Sequence, residues 1–370
     1  MIQIKAAVLR EPYASLEIEE VELDTALHAN EALVKIVATG LCHTDISVRD
    51  QHLPVPLPAI LGHEGAGVVQ QIGTNVKKIK VGDHVILAPS SCGKCNYCQS
   101  GHPAYCTELF RLNISGPRVD GSCPYHDHNG GKLAGFFFGQ SSFATYSLTT
   151  ENNLVKVPDH MALESLGPLG CGLQTGAGTV LNVLQPKAGD SFVVFGAGPV
   201  GLAAVMAAKA SGCTTIIAVD IHDNRLQLAK TLGATDTINS RTESPSIYIR
   251  SNILSYGLDY AMDTTGRNDV INEALKSLKP RGKCALVAIS ASEKLEVDNA
   301  AIFDGKSIEF VLEGDSVPAI FIPKLIDLYN NGLFPFDQLI TYYRLEDINQ
   351  AIADSERGTV LKAVIRMPST

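Results

Sequence analysis

The sequence predicts an α/β chain with two parts, a mostly β domain and a doubly wound parallel sheet, and three observations predict it. Short β-rich pieces parted by turn residues fill the first 150 or so residues. Apolar strands alternating with helical stretches begin near residue 173. A glycine-rich turn joins one of those strands to the helix that follows it. Size agrees, because 370 residues, 45% of them hydrophobic, bury a substantial core and divide into about two domains.

In chain order, the first region carries strand patterns at 6–9, 32–38, 66–72 and 84–87, broken by turn residues such as Gly82 and Asp83. A strand at 191–195, a helix at 199–211, a strand at 215–219 and a helix at 224–232 follow, the alternation of a parallel βαβ sheet. Apolar strands at 260–262 and 284–289 continue the sheet, and the helical pattern 320–330 comes after them. The strand-like stretch 361–365 points to a return to the first domain, which makes that domain discontinuous.

Composition excludes several function classes. A formal charge of −9 without a Lys/Arg cluster lacks the basic footprint of a nucleic-acid surface and leaves a small molecule as the partner. The longest apolar runs, such as 203–210, are short and interrupted by Lys209, and residues 1–10 lack a secretory pattern. The expectation is therefore a cytoplasmic protein with no membrane partner.

Cys92, Cys95, Cys98 and Cys106 follow C-x2-C-x2-C-x7-C and hold four of the nine cysteines. Four thiolates close a tetrahedral Zn²⁺ and leave no open position, so this metal is expected to fold a lobe, about 90–110, rather than to activate a substrate. Disulfides, free thiols or an iron–sulfur cluster are the competing readings.

Gly196, Gly198 and Gly201 form G-x-G-x-x-G directly after a strand and at the start of a helix. The glycines permit a tight turn and let a pyrophosphate approach bare backbone, and the helix N-terminus offers free N–H groups. Asp220, nineteen residues after Gly201 at the end of the next strand, is placed to accept hydrogen bonds from an adenosine ribose. A bound dinucleotide is expected. A carboxylate repels a 2′-phosphate, so NAD is favoured, with His222 and Arg225 keeping NADP open.

Taken singly, Cys42 and Cys171 read as buried small hydrophobes and His63 as a satisfied core histidine. Gly62-His63-Glu64-Gly65-Ala66-Gly67-Val68, the four-cysteine lobe, Gly170-Cys171-Gly172 and the nucleotide fingerprint stand in an order that changes this reading. In that order the sequence resembles the zinc-containing medium-chain alcohol dehydrogenases over essentially its whole length. Val55-Pro56-Leu57-Pro58, Phe138-Gly139-Gln140-Ser141-Ser142-Phe143 and Phe334-Pro335-Phe336-Asp337-Gln338-Leu339 look most like the aryl (benzyl) alcohol and geraniol dehydrogenase branch.

The resemblance implies a GroES-like mostly β catalytic domain, 1–172 and 311–370, plus a Rossmann domain, 173–310. It implies two zinc ions per chain, the second held by Cys42, His63 and Cys171 with Glu64 close by and Asp45 orienting His63. Thr44 would bond the alcohol oxygen, Arg225 the adenosine ribose, and Lys362 or His43 the pyrophosphate. Many relatives carry a histidine where this chain has Ser47, so His43, His52 or water would finish the proton relay. The substrate pocket would draw on Leu53, Ala88, Phe137, Phe138, Ile289 and Val311. Ala88 stands where relatives acting on short alcohols often have an aromatic residue, so benzylic or allylic alcohols and their aldehydes are expected substrates. A homodimer or homotetramer is implied as well. The rivals are a zinc polyol or formaldehyde dehydrogenase, a metal-free quinone reductase of the same fold, and a nucleotide-binding sensor.

Overall fold

The computed structural model describes residues 1–288 and 294–368. The chain divides into two compact units, Met1–Cys171 with Val317–Pro323 and Asp337–Thr370, and Gly172–Ser316 with Lys324–Phe336. The expected switch at residue 311 falls later because Val311 still donates to the Leu286 carbonyl (2.9 Å) and Asn182 donates to the Gly314 carbonyl (3.0 Å). Both bonds tie 311–316 to the parallel-sheet unit.

In the first unit, antiparallel pairing dominates two sheets. The sheet that carries the chemistry runs in the order Leu154–Lys156, His84–Leu87, Glu64–Ile72, Glu31–Gly40, Lys362–Arg366 and Ile340–Arg344, with Tyr146–Thr150 also joined to Glu31–Gly40. Glu31–Gly40 lies at its centre and is buried along almost its whole length, which fits its near-continuous apolar run. The strand Lys362–Arg366 pairs antiparallel with it, Val364 opposite Gly40, and so sets Lys362 beside Leu41. A second sheet, ordered Ala59–Ile60, Ile2–Leu9, Glu17–Leu23, Tyr125–His126 and Lys132–Leu133, covers a core that includes Phe143, Tyr125 and Leu61.

The second unit holds six parallel strands in the order Asp236–Asn239, Thr215–Asp220, Ser191–Phe195, Leu258–Asp263, Leu278–Leu286 and Ser307–Phe310. The order reverses beside the first strand, Ser191–Phe195, the point at which doubly wound sheets bind ligands. That strand is buried at all five residues, and the helix Pro199–Ala210 behind it is buried from Gly201 to Ala208. Its alanines permit close approach, and so does Gly176, where a Cβ would meet the Val200 carbonyl oxygen at 2.0 Å. The expected strand 284–289 is observed as Leu278–Leu286. Among the described residues, no helix is long and apolar enough to cross a membrane.

Candidate active site

Cys42 stands at the N-terminal boundary of the short helix His43–Arg49 in an extended conformation, φ −117° and ψ 156°. Asp45, in the first turn, accepts the Cys42 N–H on Oδ2 (2.9 Å) and the Gly62 N–H on Oδ1 (3.2 Å). The same Oδ1 meets His63 Nδ1 at 2.9 Å. One carboxylate thus fixes the backbone of Cys42 and the ring of His63. Gly62, at φ +88°, is required here, since a Cβ would meet the Phe143 backbone nitrogen at 2.5 Å.

With Nδ1 held by Asp45, the other ring nitrogen of the fully buried His63 has no hydrogen-bond partner. A buried polar atom left in that state costs about 1–3 kcal/mol. Its surroundings explain it. One donor atom each from Cys42, His63, Glu64 and Cys171 lies within 4.8 Å of all the others. Cys171 arrives because Gly167 and Gly170 let the preceding turn lie on the backbone, where side chains would meet the Glu64 and Leu87 carbonyl oxygens at 2.1 and 2.4 Å. Hydrogen bonding from Cys171 first, with the nearby Lys362 charge, holds the Cys42 thiol well below its ordinary range against the effect of burial. Two sulfurs and an imidazole suit Zn²⁺, and the site fits that ion.

Glu64 faces Lys362 rather than solvent. Lys362 Nζ lies 2.9 and 3.0 Å from the two carboxylate oxygens and 3.1 Å from the Leu41 carbonyl oxygen. Burial works against the ammonium charge, but Glu64 and then Cys42 hold its pKa above the usual lysine value. Lys362, expected at the pyrophosphate, has its Nζ among three oxygens and its side chain 3% exposed, and here it is the ion-pair partner of Glu64. His43, the other residue expected at the pyrophosphate, is exposed, as is His52, while Ser47 is half-buried.

Two rings wall the imidazole. Phe138 stacks on His63 with centroids 4.6 Å apart and an interplanar angle of 29°, and Phe137 meets it edge-on at 5.5 Å. Phe138 takes a left-handed conformation, φ 50° and ψ 31°, which costs a non-glycine residue about 1–2 kcal/mol. Thr44 Oγ1 lies 3.7 Å from Cys42 Sγ. Of the other residues expected around the substrate, Ala88 is fully buried and Leu53 half-buried in the first unit, and Val311 is buried in the second. Ile289 lies outside the described residues.

In the second unit, Gly196, Gly198, Asp220 and Arg225 line one cavity of about 1100 Å³. A Cβ at Gly201 would meet the Gly196 carbonyl oxygen at 1.9 Å, so that glycine serves helix packing. At Gly198 a Cβ would meet nothing within 4 Å. That bare backbone opens on the cavity, the cradle a pyrophosphate needs. Asp220 accepts from the N–H groups of Ala197 (2.7 Å), Ile221 (2.7 Å) and His222 (2.9 Å), and Arg225, whose buried Nε has no hydrogen-bond partner, stands 3.8 Å away.

Cys92, Cys95, Cys98 and Cys106 also bring their sulfurs within 4.8 Å of one another. Backbone N–H groups point at them, Cys92 to Cys106 (3.3 Å), Cys95 to Cys92 (3.3 Å) and Glu108 to Cys106 (3.4 Å), the pattern of thiolate acceptors. None of the four is joined in a disulfide, which sets that reading aside.

Residues 28–159 match the family described as alcohol dehydrogenase GroES-like domain, and residues 199–330 match zinc-binding dehydrogenase. Geraniol dehydrogenase of Castellaniella defragrans is 39% identical over 98% of both chains. The chain belongs to the zinc-binding alcohol dehydrogenase family. Zinc and a nicotinamide cofactor come with that membership. Benzyl alcohol dehydrogenase from Acinetobacter calcoaceticus is a structural relative of this alcohol dehydrogenase, 46% identical with a TM-score of 0.95 over 100% of both chains. An alcohol dehydrogenase zinc-binding domain protein from Burkholderia ambifaria, 49% identical, gives a TM-score of 0.97 over the same coverage.

Gln140 was not among the residues expected to serve the site. Its amide accepts from the Gly65 N–H (3.0 Å) and donates to the His63 carbonyl (2.9 Å). Only its place in the run 138–143 offered a signal in the sequence.

Proposed function

We propose that this alcohol dehydrogenase oxidises benzylic and allylic primary alcohols, and reduces the aldehydes, with NAD as the hydride acceptor. The reading assigns two zinc ions per chain, a catalytic one at Cys42, His63 and Cys171 and a structural one at Cys92, Cys95, Cys98 and Cys106. The observation that carries it is the buried, unpartnered His63 nitrogen inside the cluster of two cysteines and a glutamate. A zinc ion held there by Cys42, His63 and Cys171 would supply Lewis acidity towards an alcohol oxygen, and NAD in the second unit would supply the hydride acceptor.

The protein's own groups do the rest. Cys42 and Cys171 provide two negative charges and His63 a neutral nitrogen, whose tautomer Asp45 sets by occupying Nδ1. The Thr44 hydroxyl receives the alcohol proton, and the exposed His43 passes it to water. Phe137 and Phe138 keep water from the imidazole and offer apolar faces to a flat or branched substrate, an argument strengthened by the names of the geraniol and benzyl alcohol relatives. Asp220 supports NAD, because a carboxylate at the adenosine ribose disfavours a 2′-phosphate. We extend the reading to a homodimer or homotetramer on the family resemblance, and to the cytoplasm on the short, interrupted apolar runs of the sequence.

Absorbance of reduced nicotinamide tests substrate and cofactor together. The kcat/KM for benzyl alcohol, cinnamyl alcohol and geraniol should exceed that for ethanol by at least about tenfold, with NAD preferred over NADP. Equal efficiency on ethanol would remove the aromatic and allylic assignment.

A further inference from the structure

We propose that Gln140 is a positioning residue of the metal centre, setting the stance of His63 and Glu64 by gripping the backbone on both sides of Glu64; this rests on the catalytic zinc reading above. Gln140 is fully buried, and its amide is used in both directions, Nε2 donating to the His63 carbonyl at 2.9 Å and Oε1 accepting from Gly65 at 3.0 Å. The strand Glu64–Ile72 pairs with His84–Leu87 only from Ala66 onward. At His63 and Gly65 a side-chain amide does what a strand would otherwise do.

The amide is itself anchored. Gln140 N–H donates to the Phe137 carbonyl (3.1 Å), and its carbonyl accepts the Ser147 hydroxyl. Ser141 Oγ donates to the Ile60 carbonyl (2.7 Å) and accepts from the Phe137 N–H (2.9 Å). Ser142 and Phe143 donate to the Gly62 and Leu61 carbonyls at 2.9 Å. The segment that grips the His63 backbone is also the one that lays Phe137 and Phe138 on its ring. Ring and main chain of one residue are fixed from one short stretch. Gly65 is part of the device, since a Cβ there would meet Ser142 Cβ at 2.8 Å and Gln140 Oε1 at 3.1 Å. Metal sites need their donors held within about 0.5 Å, and loss of such outer partners costs about 10–100-fold in metal affinity or activity.

The test exchanges Co²⁺ into the full-length protein and compares the parent with Gln140→Met, which keeps the length and loses both bonds, and Gln140→Glu, which keeps the acceptor and loses the donor. We expect the cobalt d–d band to shift, loss of the spectroscopic metal to a chelator to accelerate about tenfold or more, and kcat to fall with the KM for NAD unchanged. The metal of the four-cysteine lobe should leave at the parent rate. A purely structural Gln140 would lower the unfolding midpoint and leave the cobalt band and the metal-loss rate alone, which would overturn the inference. Should Gln140→Met fail to fold, Gln140→Glu decides: parent-like band and loss rate overturn the inference, and altered ones support it. A parent that takes up no metal at Cys42, His63 and Cys171 would instead remove the zinc reading beneath it.

Discussion

Lys362 Nζ lies 2.9 and 3.0 Å from the two carboxylate oxygens of Glu64, and the two side chains are 3% and 0% exposed. A carboxylate next to a metal-binding trio thus carries its own dedicated cation. The Leu41 carbonyl takes a further proton of the ammonium, and Gly40 leaves room for Glu64, since a Cβ at Gly40 would meet Oε2 at 1.9 Å.

Removing the cation should be costly. Lys362→Met leaves Glu64 buried and uncompensated, and breaking such a pair typically costs about 3–5 kcal/mol. Urea unfolding should show that loss, and adding Glu64→Gln should restore part of it. Additive losses in the double variant would show that the two side chains do not depend on each other.

Asp45→Asn keeps the shape of the side chain but can present an N–H₂ to His63 Nδ1, which pushes the ring towards the wrong tautomer. The expected result is a 10–100-fold drop in kcat/KM and faster zinc loss, with the fold intact by circular dichroism. Unchanged turnover would mean that the hydrogen bond does not set the tautomer.

Cys95→Ser breaks the four-sulfur cluster. Metal analysis should fall from two zinc ions per chain to one, and proteolysis should cut between residues 92 and 106 in the variant first, because a closed thiolate site contributes folding energy directly. Two ions retained per chain would contradict the assignment of the lobe.

Gly198→Val separates binding from stability. Nothing of the protein lies within 4 Å of the added Cβ, and its φ of −75° suits any residue. Stability should change by under about 1 kcal/mol, whereas the KM for NAD should rise at least tenfold as the side chain fills the phosphate cradle. A parent-like KM would place the pyrophosphate elsewhere.

Asp127 supplies a pH dependence. Its carboxylate is held below the ordinary value of 3.8, first by Arg10 (3.0 Å) and then by the Gly131 N–H (2.8 Å). A group with a depressed folded pKa stabilises above its unfolded value and loses that contribution as pH falls through the folded one. Thermal melts of the parent and Asp127→Asn should therefore differ most at neutral pH and converge below pH 3.8. A constant gap down to strong acid would show that the ion pair is not responsible.

How much of this was legible before the fold depended on distance along the chain. The four-cysteine lobe and the G-x-G-x-x-G turn are local, so spacing and flanking pattern were enough. Cys42, His63 and Cys171 are joined only through strand pairing and two glycine-permitted approaches, and a family resemblance, not spacing, brought them together. The pairing of Lys362 with Glu64 was not legible, because nothing in the neighbourhood of Lys362 says that its strand lies beside Leu41. Gln140 escaped because a buried amide that replaces a strand partner leaves no periodic pattern, and its place in the run 138–143 gave no hint of that role. The tail strand 361–365 was readable from its apolar run, and it is observed as Lys362–Arg366.

The separation between Glu64 and Lys362, 298 residues, has a consequence for biosynthesis. A nascent chain presents the carboxylate long before its counter-ion exists, so the buried pair closes only after the intervening residues have been made. The donors Cys42, His63, Glu64 and Cys171 are all synthesised before the lysine that neutralises the carboxylate.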